Sequence, residues 1–254
     1  MCLALASYSC NKEKSKLPDG TDKVTEFATI PTIKSIYLSI KKAGLPRMSG
    51  FSQSQVVPAI QDTLYQSFAW GVLTADSQLA VYARDSVWLK GSLDKLVTLS
   101  KALGMQDIAK TLDERVRPLV DKKDWQLLES TFNNMQYTAE QAQLENKHYG
   151  NYTMMALGGW TETSRQFTGA IAANYSPEKA AILNTDAWLF LAGNLDLFPP
   201  TTGTYQSPVD GTKVPVGTLR DIMAAAGKAA PTELQLMNME KSLDDIRAIY
   251  LQPS

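Results

Sequence analysis

Cysteine and histidine are nearly missing from this 254-residue chain: the cysteines are Cys2 and Cys10, and the one histidine is His148. Everything after residue 10 is thereby closed to disulfides, to cysteine-based zinc sites and to thiol catalysis. Net charge is lacking as well. The 25 basic and 26 acidic residues leave −1, so no overall field draws the molecule to nucleic acid, which is not an expected partner. No run approaches the roughly 20 apolar residues of a membrane-spanning helix. Glycine-rich phosphate loops, nucleophile elbows and metal-ligand spacings are absent too, and no cofactor is expected.

What is present is the composition of an ordinary folded protein, 44% apolar and 20% charged. The first ten residues form a short apolar stretch that ends in small residues before Cys10, and polar Asn11, Lys12, Glu13 and Lys14 follow at once. This looks like the end of a lipoprotein signal peptide. Cleavage before Cys10 would leave a diacylglyceryl thioether there, each buried methylene adding about 0.8 kcal/mol to membrane anchoring. A basic leader segment is missing, and Ser7 stands where a bulky aliphatic is usual. The competing reading is a frayed cytoplasmic N-terminus.

Residues 11–28 are polar, with Pro18, Asp19 and Gly20 in the middle, and read as a flexible tether. From 29 to 254 the dominant period is helical, which predicts a single helical domain. Pro31 opens a first helix, and a second runs from near Ser54 to about Arg84. Asp85 and Ser86 cap a third that Gly104 ends. A short helix from Gln106 is stopped at Pro118, and a long one from Asp121 ends at His148, Tyr149 and Gly150. Two mostly covered segments follow, Tyr152 to Asn174 and one starting at Pro177. Between 199 and 217 the pattern breaks, and Asp210-Gly211 flanked by Tyr205–Val209 and Thr212–Val216 predicts a loop or small hairpin. Helices from Thr218 to Ala226 and from Pro231 to Tyr250 close the chain. Short connections make sequential helices antiparallel, so the fold expected is all-α, an up-and-down antiparallel multi-helix bundle.

A few side chains are chemically out of place. Asp76 shares a helix face with Val72, Leu73, Leu79 and Ala80, so its carboxylate must find a partner, as a buried polar tie between helices or in a ligand site. Gly158 and Gly159 sit inside a helical segment, where each costs up to about 1 kcal/mol relative to alanine. Close approach of a neighbouring helix would offset that cost, with Trp160 filling the adjacent gap. Glu162 and Arg165 lie three apart on one face and can pair with each other, with Asp76 or with a ligand. His148 reads as a side chain over the free carbonyls of a helix end; as a haem or metal ligand it would need a second donor such as Met154 or Met155.

The runs Trp70 to Asp76 with Tyr82, Leu99 to Met105, and Ala156 to Glu162 resemble a group of uncharacterised helical lipoproteins of Gram-negative bacteria, over roughly residues 30 to 195. Asp76, Gly159, Trp160 and Glu162 match that group's short motifs, while Thr161 and either Trp70 or Val72 depart from them. The resemblance implies an all-helical envelope protein and transfers no mechanism. The function expected first is a non-catalytic cell-envelope lipoprotein, held to a membrane through Cys10 and facing the periplasm or the cell surface. Its body would scaffold or bind an envelope protein or a small ligand. The alternative is a helical binder of a solute or a tetrapyrrole, with its pocket near Asp76, Trp160, Glu162 and Arg165. An enzyme of unassigned class stands third. Without lipidation the body would be cytoplasmic.

Overall fold

Side chains that cap helix ends partition this chain, and the computed structural model shows them in use over the residues it describes, 27–42, 51, 56–198, 207–227 and 229–252. Helix α1 covers Lys34–Lys42. Asp62 accepts from the Leu64 amide to start α2, Thr63–Ala83, and Asp85 accepts from Val87 and Trp88 to start α3, Ser86–Ala102. Helix α4, Gln106–Thr111, passes through a π-turn, Leu112–Val116, into α5, Arg117–Lys122. Asp124 then caps α6, Trp125–Glu145, and α7 covers Tyr149–Ala172. Ser176 caps the short α8, Pro177–Ala180, and α9 is Ala187–Asp196. Ser207 starts α10, Pro208–Ala226, and a full capping box at Thr232 and Gln235 starts α11, Glu233–Tyr250. Among the described residues there is no strand; one isolated antiparallel bridge joins Pro58 to Leu251.

Helices α2 and α7 form the centre and share the most extensive contact between described elements. They run the same way: Leu64 and Gly150 meet near their starts, and Tyr82 and Phe167 both meet Tyr37 and Phe51 near their ends. Two glycines make this possible. A Cβ built on Gly71 would lie 2.0 Å from the Met155 carbonyl oxygen, and one on Gly158 would lie 2.1 Å from that of Phe68. The backbones therefore touch where any side chain would hold them apart. Sequential neighbours are antiparallel around this pair. α3 lies on α2 with Trp70 opposite Ser100 and Asp76 opposite Trp88. α11 lies on α7 with Glu162 opposite Arg247. α6 packs on both central helices, and α9 and α10 complete the other side. The buried apolar side chains make one cluster that runs from Ile30 to Leu251.

Four sequence expectations are corrected. The hairpin around Asp210-Gly211 is helix: Ser207 caps it, Pro208 occupies the first turn, where no amide hydrogen is needed, and both Gly211 and Pro215 lie within α10. Residues 199–206 of that stretch lie outside the described residues. Pro118 does not stop the fourth helix, because the π-turn ahead of it restarts the ladder and places the proline in a first turn. The second helix starts at Thr63, after the extended residues that pair with Leu251. His148 is not in a helix's last turn. Lys147 takes a left-handed φ of 59°, the His148 amide donates back to the Gln143 carbonyl, and His148 becomes the residue that precedes α7.

Candidate functional site

Helix α2 is buried from Ser67 to Val81 without a break, so a carboxylate anywhere on its middle turns must be met by protein. Asp76 is fully buried. It accepts from the Trp88 indole at 2.7 Å and from the Ser92 hydroxyl at 3.1 Å. Trp88 and Ser92 are four apart on α3, so one helix turn brings both donors to one point. This carboxylate also lies close enough to Arg165 to favour the charged guanidinium.

One helix over, Glu162 is fully buried on α7 and takes the Arg165 guanidinium at 2.8 Å, the Gln166 amide at 2.8 Å and Arg247 of α11. Burial alone would raise this carboxyl. The charges of Arg247 and Arg165, with the hydrogen bonds from Arg165 and Gln166, overcome it and hold Glu162 below the ordinary carboxylate value. Tyr37 of α1 closes the cluster. Its hydroxyl lies 3.5 Å from the Ala75 carbonyl, and burial raises it far above the ordinary phenol, against a hydrogen bond with Thr163 and with help from Asp76 and Glu162.

Of the four residues expected to surround a pocket, Asp76, Glu162 and Arg165 therefore share one electrostatic cluster. Trp160 faces elsewhere. Its indole donates to the Pro31 carbonyl at 2.6 Å and its ring meets Trp188 edge-on at 6.5 Å, so it fastens the chain ahead of α1 to α7 and α9. Cys10 lies outside the described residues. Trp88, Ser92 and Arg247 belong to the cluster and were not singled out in the sequence. Trp88 and Ser92 did carry a signal in their four-residue spacing, whereas Arg247 had none.

A second buried polar group joins α2 to α6, where Gln78 donates to Gln136 and Gln136 donates to Glu140. Burial raises the Glu140 carboxyl to about 7, against the hydrogen bond from Gln136. An open groove of about 350 Å³ lies between α9 and α10, with Asp186, Leu189, Arg220 and Met223 on its walls. Among the described residues no group of three or more His, Cys, Asp or Glu side chains could hold a metal ion, and no helix is long and apolar enough to cross a membrane.

No family model, curated protein or solved structure matches the chain. The chemistry of the cluster is thus read from its own geometry. Two carboxylates lie among two guanidiniums, and the donors that meet them, Trp88 and Ser92 at Asp76 and Arg165, Gln166 and Arg247 at Glu162, are groups of the protein itself. This is how a tie between helices is built.

Asp76→Ala is expected to lower stability by about 3 kcal/mol, because it leaves a buried indole N–H without its acceptor and the Ser92 hydroxyl with only the Trp88 carbonyl at 3.5 Å. Asp76→Asn, which keeps an acceptor oxygen, is expected to lose about half as much. Urea unfolding followed by circular dichroism measures both, and an alanine variant as stable as the parent would remove the tie.

Proposed function

We propose that this protein is a lipid-anchored component of a bacterial cell envelope, attached through Cys10, with a non-catalytic helical body that serves as a scaffold or binding module. The observation that carries the reading is the short apolar run with small residues ahead of Cys10 and the abrupt change to Asn11, Lys12, Glu13 and Lys14 after it. The way the chain enters the body supports it. Ala28 exchanges two hydrogen bonds with the Asn194 side chain, the Ile30 amide donates to the Tyr152 hydroxyl, and Pro31 is held by Trp160. A pull on the anchor would thus be borne by α7 and α9. Residues 11–27 can span at most about 60 Å when fully extended, which bounds the distance from the membrane.

The internal pairing of Asp76, Glu162, Arg165 and Arg247 favours a structural role for these charges over a ligand pocket among them. Mass spectrometry of the protein produced in a Gram-negative host with its upstream reading frame intact tests the anchor. The expected product starts at Cys10, carries the mass of acyl chains and sediments with membranes, while Cys10→Ser releases the chain to the soluble fraction. A soluble chain that retains Met1 and no added mass would overturn the reading.

A further inference from the structure

Glu140 and Gln136 are four apart on α6, so one turn stacks them on the face where Gln78 of α2 arrives. All three side chains are buried. The bonds between them run one way: Gln78 Nε2 donates to Gln136 Oε1 at 3.0 Å, and Gln136 Nε2 donates to Glu140 Oε1 at 2.8 Å. An ionised carboxylate can only accept, so this direction suits Glu140 as an anion. It leaves Gln78 Oε1 as a buried carbonyl oxygen with no hydrogen-bond partner among the described residues.

Among the described residues no cation acts on that anion. Of the elements packed on α6, namely α2, α4, α5 and α7, none places a charge that acts on Glu140, and Tyr152 of α7 is the titratable group that feels it. Tyr152, whose hydroxyl accepts from the Ile30 amide, is itself pushed up by burial and stays neutral. Protonation removes the uncompensated charge and turns Glu140 into a donor. With both amides turned over, Glu140 donates to Gln136 Oε1 and Gln136 Nε2 donates to Gln78 Oε1. The orphan oxygen gains its partner, and Gln78 Nε2 becomes the free group instead. Amide oxygen and nitrogen are nearly the same size, so the two arrangements occupy the same space.

Gln78 is also part of the wall of a cavity of about 30 Å³ between α1, α2 and α6, with Lys34, Glu129 and Asn133 around it. That is room for roughly one to two water molecules. We propose that the protonation state of Glu140 sets the direction of the Gln136–Gln78 amide chain, and so decides whether a carbonyl oxygen or an amide N–H of Gln78 is left unpartnered beside this cavity. The device switches polarity and leaves the shape alone. Burial raises Glu140 to about 7, so the exchange falls near neutral pH, with the N–H free on the acid side and the carbonyl oxygen free on the alkaline side.

The test is an NMR titration of the full chain labelled with ¹³C and ¹⁵N. The Glu140 carboxyl carbon is expected to titrate near pH 7, with the side-chain amide resonances of Gln136 and Gln78 moving at the same midpoint. In Glu140→Gln both amides are expected to be flat across that range. A Glu140 midpoint below about pH 5, the range of an ordinary carboxyl, would overturn the proposal. So would a Gln78 amide that stays flat while Glu140 titrates, or one that still moves near neutral pH in Glu140→Gln. If the variant fails to fold, the titration of the unmodified chain decides alone.

Discussion

Replacing Gly158 with alanine is expected to cost more than about 4 kcal/mol, whereas alanine at the next residue, Gly159, is expected to be neutral or slightly stabilising. The two glycines differ in what a methyl group would meet. At Gly158 the added carbon lies 2.1 Å from the Phe68 carbonyl oxygen and 3.1 Å from the Val72 amide nitrogen, so it strikes a helix backbone that has no rotamer to offer. The helices α2 and α7 would have to separate by roughly 1 Å, and a gap of that size forfeits a quarter to a half of each dispersion contact along the seam. At Gly159 the nearest atom is a methyl of Ile33 at 3.5 Å, an ordinary contact, and alanine recovers up to about 1 kcal/mol of helix propensity.

Gly71→Ala, with its added carbon 2.0 Å from the Met155 carbonyl oxygen, is expected to behave like Gly158→Ala. The double variant should fall short of the sum, since the first substitution already parts the helices. For a chain of this size 1 kcal/mol corresponds to about 2–4 °C, so each single change is expected to lower Tm by at least about 8–16 °C. Differential scanning calorimetry checks this. A Gly158→Ala protein within about 1 kcal/mol of the parent would mean that the two backbones do not touch there.

Glu162→Ala is the second large effect, an expected loss of about 3–5 kcal/mol at neutral pH. Glu162 is fully buried and holds Arg165 and Arg247, whose side chains are only 26% and 16% exposed, so its removal takes the directly bonded carboxylate from two largely desolvated cations. Arg247→Ala should cost less, about 2–3 kcal/mol, because Glu162 keeps Arg165 and Gln166. A double-mutant cycle between the two is expected to give a coupling of about 1–3 kcal/mol.

The pH dependence fixes the sign. Glu162 is held below its ordinary value in the folded protein, so its contribution is full above the unfolded value near 4.5 and is lost as pH falls through the folded one. The deficit of Glu162→Ala should therefore narrow toward acid pH. Amide exchange of α11 is the most local readout. If its protection were unchanged in Arg247→Ala, the tie from the C-terminal helix to α7 would be ruled out.

Much of the framework was legible in the sequence because it depends on neighbours along the chain. Asp85 ahead of Ser86 marked the start of α3, Gly227 the end of α10, and Gly158 the close approach of another helix. Asp76 could be singled out because its flanking residues placed a carboxylate on an apolar face. The segment around Asp210-Gly211 departs from its local signal for the same reason: a turn dipeptide carries no information about the helix it joins, and burial of Val209, Val216 and Leu219 outweighs its preference.

The partners themselves belong to the tertiary structure alone. Glu162 meets Arg247 across 85 positions, and Trp160 meets Pro31 across 129. Periodicity says which side of a helix is covered, and it carries no information about which distant helix covers it. Nor could it show that α2 and α7 are the pair in closest contact, because four α-helices separate them in the chain and alternation gives their shared direction without saying that they touch. The sequence by itself determined that the chain is helical, where its clearest caps lie, which faces are apolar and which charges needed a partner. Only the folded chain decided which partner each one received, because that choice is made by the contact of surfaces far apart in the chain.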